Sequence, residues 1–168
     1  LKGIIHYERN ELDKAEEPLA ELQLSYQEAN LQNWAHATFA LALTYQAQNR
    51  PDEAQNLGEQ VMLRALELQN VLLLELAEAF MADLNLRQGK LADAFLWANS
   101  FDSDPHRDSD RFFVPHLTQA KICLQGNTKA SLEKAQGLLL QLEGIYTRTH
   151  NKKVLIHVLV LKALRSEE

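Results

Sequence analysis

Apolar residues recur at spacings of three and four along most of the chain, the period of a helix that buries one face. Leu12, Ala15, Leu19, Leu22 and Tyr26 form one such stripe, with Glu16, Glu17, Glu21 and Glu28 on the opposite side. Trp34, Ala37, Thr38, Leu41, Ala42 and Tyr45 form a second. Phe112, Phe113, Leu117, Ala120, Cys123 and Leu124 form a third, in a helix that resumes at Arg111, and Leu132, Ala135, Leu139, Leu142 and Ile145 a fourth. Val71 to Phe80 is apolar on nearly all sides and reads as a helix sandwiched between neighbours. Pro18 falls inside the first of these helices, early enough for a mild kink.

The breaks between stripes repeat. Leu86 to Ala94 reads as a hinge between antiparallel helices: Gly89 can take the left-handed conformation that ends one helix, and Leu91 with Ala94 starts the next. Asn10-Glu11-Leu12 and Asn49-Arg50-Pro51 repeat the device with Asn, the next best left-handed residue. A fourth turn is expected at Gly126. The turns lie 39, 40 and 37 residues apart, a period typical of helical-hairpin solenoids. The pattern therefore predicts an all-α fold, a right-handed superhelical stack of antiparallel hairpins with about nine helices in one domain over residues 1–168. Its units are 1–30, 31–70, 71–110, 111–150 and a partial 151–168.

Composition narrows this further. At 46% hydrophobic and 24% charged, the chain can bury a core and is not a disordered segment. No stretch nears the roughly 18 apolar residues of a spanning helix, and one cysteine, Cys123, excludes an internal disulfide, so a soluble, cytoplasmic protein is expected. Net charge is −6 and unevenly spread, with 7 basic against 15 acidic side chains in residues 1–100 and 10 against 8 in residues 101–168. No basic face is available to displace counterions, so direct contact with nucleic acid is not expected. The pattern starts in mid-helix and ends on a helix without a partner, and reads as a piece of a longer protein. The final stripe, Val154, Ile156, Val158, Leu161 and Leu164, is expected to seek a partner and to favour self-association.

Candidate chemistry is sparse. Asp102, Asp104, Asp108 and Asp110 mark one long irregular loop, but an EF-hand requires Gly at its sixth position and Glu at its twelfth, where Arg107 and Phe113 stand. The carboxylates read as solvated loop and helix caps, with Asp110 as an N-cap. His6, His36, His116 and His157 lie on separate helices without the spacing of a zinc pair, so no metal site is expected. Cys123 reads as a small buried hydrophobe. No nucleophile elbow, metalloprotease motif or isolated carboxylate pair occurs, and no enzyme is expected.

Three segments carry a family resemblance: Ile5 to Leu12, Gly89 to Ala98 with the acidic loop that follows, and Val154 to Leu164. In this order they resemble the helical-repeat, tetratricopeptide-like region of large LuxR-type, ATP-binding transcription regulators related to the maltose regulator. The resemblance implies a bacterial sensor segment set between a nucleotide-binding switch and a helix-turn-helix, both outside this sequence. Gly89-Lys90 is followed by Leu91, so no Walker A run is present; the segment holds no cofactor, and ATP belongs to the missing N-terminal domain. The alternative is a free-standing protein–protein adaptor of tetratricopeptide type.

Either reading leaves a groove as the functional surface. With Ala42, Ala82 and Ala120 in the inter-helix seam, the first helix of each unit turns His36, Phe39, Leu43 and Gln46, then Asp83 and Arg87, then Lys121 and Gln125 toward the concave side. Tyr7 and Glu8 share that phase. A small effector or a peptide segment is the expected occupant.

Overall fold

A computed structural model describes residues 2–25, 31–105 and 112–166. Among them the chain is all-helical, with nine helices: α1 (Lys2–Glu8), α2 (Leu12–Ser25), α3 (Leu31–Ala47), α4 (Pro51–Glu67), α5 (Val71–Arg87), α6 (Leu91–Ser100), α7 (Pro115–Gln125), α8 (Lys129–Arg148) and α9 (Lys152–Ser166). None is long and apolar enough to cross a membrane. The chain divides into two compact units, Leu1–Gln88 and Gly89–Glu168. The boundary falls at the Gly89 turn, between two helices that the periodicity assigns to one hairpin.

The turns follow the expected backbone logic. Asn10, Asn49 and Gly89 take φ of 58°, 61° and 75° at the ends of α1, α3 and α5. Gln69 and His150, which carry no turn signature, do the same at the ends of α4 and α8. The fourth expected turn is shifted by one residue: Gly126 stays right-handed at φ −65°, and Asn127 takes the left-handed position at 43°. The glycine there serves close packing instead, since a Cβ would come within 3.0 Å of Phe95 Cε1 and Ser131 Oγ. At Gly89 a Cβ would meet nothing, so only its backbone angle resists substitution. Gly89→Val should therefore lower stability by roughly 1 kcal/mol or more in a urea melt, and Gly89→Asn by less. Equal melting of the valine variant and the parent would mean that this turn is not strained.

In the first unit, consecutive helices pack together, and α3 also touches both α1 and α5. Covered from four directions, α3 is buried without a break from Trp34 to Thr44. Its alanines, Ala35, Ala37, Ala40 and Ala42, are what allow neighbours so close on every side. In α5 burial runs from Leu73 to Leu84 with interruptions, while Val71 and Leu72 at its start lie in the open. Trp34 donates its indole N–H to the Gln23 carbonyl at 3.1 Å, tying α3 to α2, and α2 buries Ala15 and Leu19 as its stripe requires. Leu12 and Leu22 are half-buried, while Tyr26 and Glu28 lie outside the described residues. Gly3 marks a close approach of α1 to α2, where a Cβ would sit 2.6 Å from Leu19 Cγ and 3.2 Å from the Ala15 carbonyl.

The second unit packs α7 on α8, α8 on α9 and α6 on α7, around Leu117, Ala120, Leu139, Leu142, Ile145 and Tyr146. The helix after the acidic loop begins at Pro115, later than the expected Arg111, which is outside the described residues along with Asp108 and Asp110. Phe113 and Val114 are buried before it, and Pro115 fits the first helical position because its absent N–H needs no acceptor there. In α9 the expected exposed stripe divides. Val154 and Val158 belong to the core, and Leu161 packs partly against it. Ile156 and Leu164 remain exposed, together with Leu159 and Val160, because α8 covers the other side.

Candidate functional site

The expected groove residues in the first unit come from α1, α3 and α5, and the structure sorts them into buried packing residues and polar ones. His36, Phe39 and Leu43 are buried. Phe39 stacks on Phe80 of α5 with ring centroids 4.1 Å apart and planes 14° from parallel, and His36 stands edge-on to Phe39 at 6.1 Å. These three form packing between α3 and its neighbours and present no open face. The cause is the position of α3 between α1 and α5, which closes the side that the periodicity leaves open.

The polar ones come from positions distant in sequence. Arg87 donates from Nε to Asp83 Oδ2 at 2.6 Å, one helical turn apart on α5. The Asp83 side chain is 2% exposed and that of Arg87 is 40% exposed, so the carboxylate is inside and the guanidinium reaches outward. Tyr7, on α1, lies within the field of both. Burial pushes its phenol above the ordinary value, the Arg87 charge partly offsets this, and Asp83 and Glu8 add to the rise. Burial works against the Arg87 cation, but Asp83, by charge and by hydrogen bond, and Tyr7 more than compensate and hold it protonated. Gln46 of α3 accepts from Gln88 Nε2 at 3.0 Å, and the same amide donates to the Pro51 carbonyl. Of the expected site residues, Asp83 and Arg87 pair directly on α5, and Tyr7 of α1 lies within the field of both charges. Lys121, half-buried, and Gln125, exposed, are on α7 in the second unit.

A second ionic cluster in the first unit was not legible as a site. Arg50, at the end of the α3–α4 turn, donates to both Glu53 oxygens at 2.6 Å and to Glu16 Oε1 at 2.9 Å, with its guanidinium 3.8 Å from the Tyr45 ring centroid. Hydrogen bonds from Arg50 hold the Glu16 and Glu53 carboxyls below their ordinary value. Their contribution to stability is present above the unfolded-state value and is lost as pH falls through the lowered folded one. In Arg50→Gln, NMR titration should return both glutamates toward ordinary values and move the acid-unfolding midpoint slightly upward in pH. Unchanged titration curves would show that Arg50 does not set them.

In the second unit, buried polar residues of α7 hold the start of the acidic segment. Gln119 Nε2 donates to the carbonyls of Ala98 and Phe101, each at 2.9 Å, and Lys134 Nζ of α8 reaches the same Ala98 carbonyl. His116 Nε2 donates to the Ser103 carbonyl at 2.9 Å, which fixes the proton on Nε2. Gln119 and Lys134 thereby satisfy carbonyls at the C-terminal end of α6, where no glycine caps the helix, and His116 holds the segment that follows. Asp102 and Asp104 are exposed, and among the described residues no group of His, Cys, Asp or Glu could hold a metal ion. Cys123 is buried, and burial pushes its thiol up, away from reactivity. An open depression of about 790 Å³ on this unit is lined by Asp104, Pro105, Leu140, Glu143, Gly144 and Arg148, and involves none of the expected groove residues.

No family model, curated protein or solved structure matches this chain.

Proposed function

We propose that the chain is a non-catalytic sensor segment, the helical-repeat part of a bacterial, cytoplasmic transcription regulator of the LuxR type, and that its groove face receives a small effector or a peptide. The observation that carries the reading is the polar group in the first unit, where Tyr7 of α1 lies within the field of the Asp83–Arg87 pair of α5. These side chains offer hydrogen-bond donors and acceptors. The group holds no nucleophile with an adjacent base, which favours binding over reaction. An effector that prefers one conformation of this face would bias a switch in domains outside the sequence.

Thermal-shift screening of small metabolites and short peptides tests the proposal. A true effector at 100 times its dissociation constant should add roughly 2.7 kcal/mol of stability. Tyr7→Phe, which keeps the ring and removes the hydroxyl, should weaken that effect. Stabilisation by peptides alone, with no nucleotide-binding domain or helix-turn-helix encoded beside this segment, would favour the tetratricopeptide-type adaptor over the regulator. A hit indifferent to every substitution in this polar group would remove the site.

A further inference from the structure

Arg50 and Arg87 of the first unit make contrasting use of their guanidinium groups. Arg50 gives Nε and Nη2 to Glu53 and Nη1 to Glu16 and Gln48, so its whole donor plane is spent on the protein. Arg87 gives only Nε, to Asp83, and among the described residues its Nη1 and Nη2 have no hydrogen-bond acceptor. The Asp83–Arg87 pair is also polarised. Its carboxylate is inside and its guanidinium reaches outward, so a solute arriving from water meets the positive end. Burial weighs against the Arg87 cation more than any other single influence, and a partly desolvated cation interacts more strongly with a counter-ion than one in open water.

The unspent edge has a defined complement. Nη1 and Nη2 present parallel N–H donors spaced for the two oxygens of a carboxylate. Charge narrows the choice, because residues 1–100 carry 7 basic against 15 acidic side chains and a phosphate or polyanion would meet more repulsion than a single cation offsets. Asp83 does not oppose a monoanion, since its carboxylate is turned onto Nε, and Glu8 is exposed, where water screens it. We infer that Arg87 anchors a ligand bearing one carboxylate, held by Nη1 and Nη2 while Asp83 fixes the guanidinium through Nε. The inference rests on the groove reading and names its ligand class: an organic acid, or a peptide that presents its C-terminal carboxylate. Asp83 is then a positioning residue and does not touch the ligand.

The probes are benzoate and N-acetyl-trialanine, each compared with its neutral amide, and inorganic phosphate as the competing anion. The side-chain Nε–H resonance of Arg87 should shift and saturate with one or both carboxylates, at a concentration at least about tenfold below that needed with the amide. Saturation by benzoate alone would identify an organic acid, and by the tripeptide alone a chain terminus. The exposed Arg9 and Arg148 serve as controls and should need at least about tenfold more of the same carboxylate. Arg87→Lys keeps a counter-charge for Asp83, so the protein should fold, but an ammonium cannot present the fork and affinity should fall by about tenfold. A response at Arg87 no stronger than at Arg148, equal shifts by carboxylate and amide, tighter binding of phosphate, or undiminished affinity in the folded Arg87→Lys protein would each overturn the inference. A neutral effector that stabilises the parent protein and loses that effect in Tyr7→Phe would overturn it while leaving the groove reading intact. Saturation of Arg87 by a carboxylate, with no stabilising metabolite or peptide in the thermal-shift screen, would support the site and remove the sensor reading.

Discussion

Phe80→Ala should lower the unfolding free energy by about 3–5 kcal/mol, the range for removing a fully buried aromatic ring. Phe80 has no exposed surface, and its partner across the α3–α5 interface, Phe39, has none either. The cavity would open where α3 is covered on all sides, so the surrounding helices cannot collapse into it without disturbing another interface. Against a total stability of about 5–15 kcal/mol for a domain, the loss would leave much of the protein near its unfolding threshold at moderate temperature. Phe80→Leu retains most of the volume and should cost no more than about 1.5 kcal/mol. Urea unfolding with an unchanged slope is the measurement, and a loss below about 1 kcal/mol for the alanine variant would contradict the packing described.

The second large effect is an asymmetry between the partners of one ion pair. Arg87→Ala leaves the Asp83 carboxylate inside the protein with its cation gone, and should cost about 3 kcal/mol. Asp83→Asn leaves a guanidinium that can turn to water, and should cost roughly 1 kcal/mol. The double variant Asp83→Asn/Arg87→Ala should recover part of the loss seen in Arg87→Ala, because the stranded charge is gone. Equal effects from the two single variants, with simple additivity in the double, would mean that burial of Asp83 does not control the energetics.

The ends of the helices were more legible in the sequence than their surroundings. Asn10, Asn49 and Gly89 stand out because few residue types tolerate a positive φ, and the backbone angle depends mainly on the residue itself. Gln69 and His150 adopt the same angle without a sequence signature, since tertiary packing can impose a conformation that the side chain does not favour. The helical period also located the core residues Ala15, Leu19, Ala42, Ala82 and Ala120. It did not indicate that α3 is covered on every side, because a stripe describes one helix and coverage depends on its neighbours. For that reason His36, Phe39 and Leu43 read as groove-facing and are packed inside.

The polar chemistry was less legible still. Helical phase pairs Asp83 with Arg87 one turn apart on α5, and that ion pair forms. Gln119 and His116 could not be assigned in this way. Their acceptors are backbone carbonyls of Ala98, Phe101 and Ser103, and a carbonyl has no residue type to read. The division at Gly89 was also hidden, since the turn there has the same local grammar as the turns within each unit.

The order in which helices touch has a consequence for how fast the protein assembles. Within each unit, apart from the side-by-side contacts of α1, α3 and α5 and of α7 with α9, each helix packs on its chain neighbours in that unit. Such contacts close short loops, and little chain entropy is spent before they are rewarded. Each unit can nucleate at any adjacent pair and grow outward, so refolding is expected on the microsecond-to-millisecond scale of helical bundles.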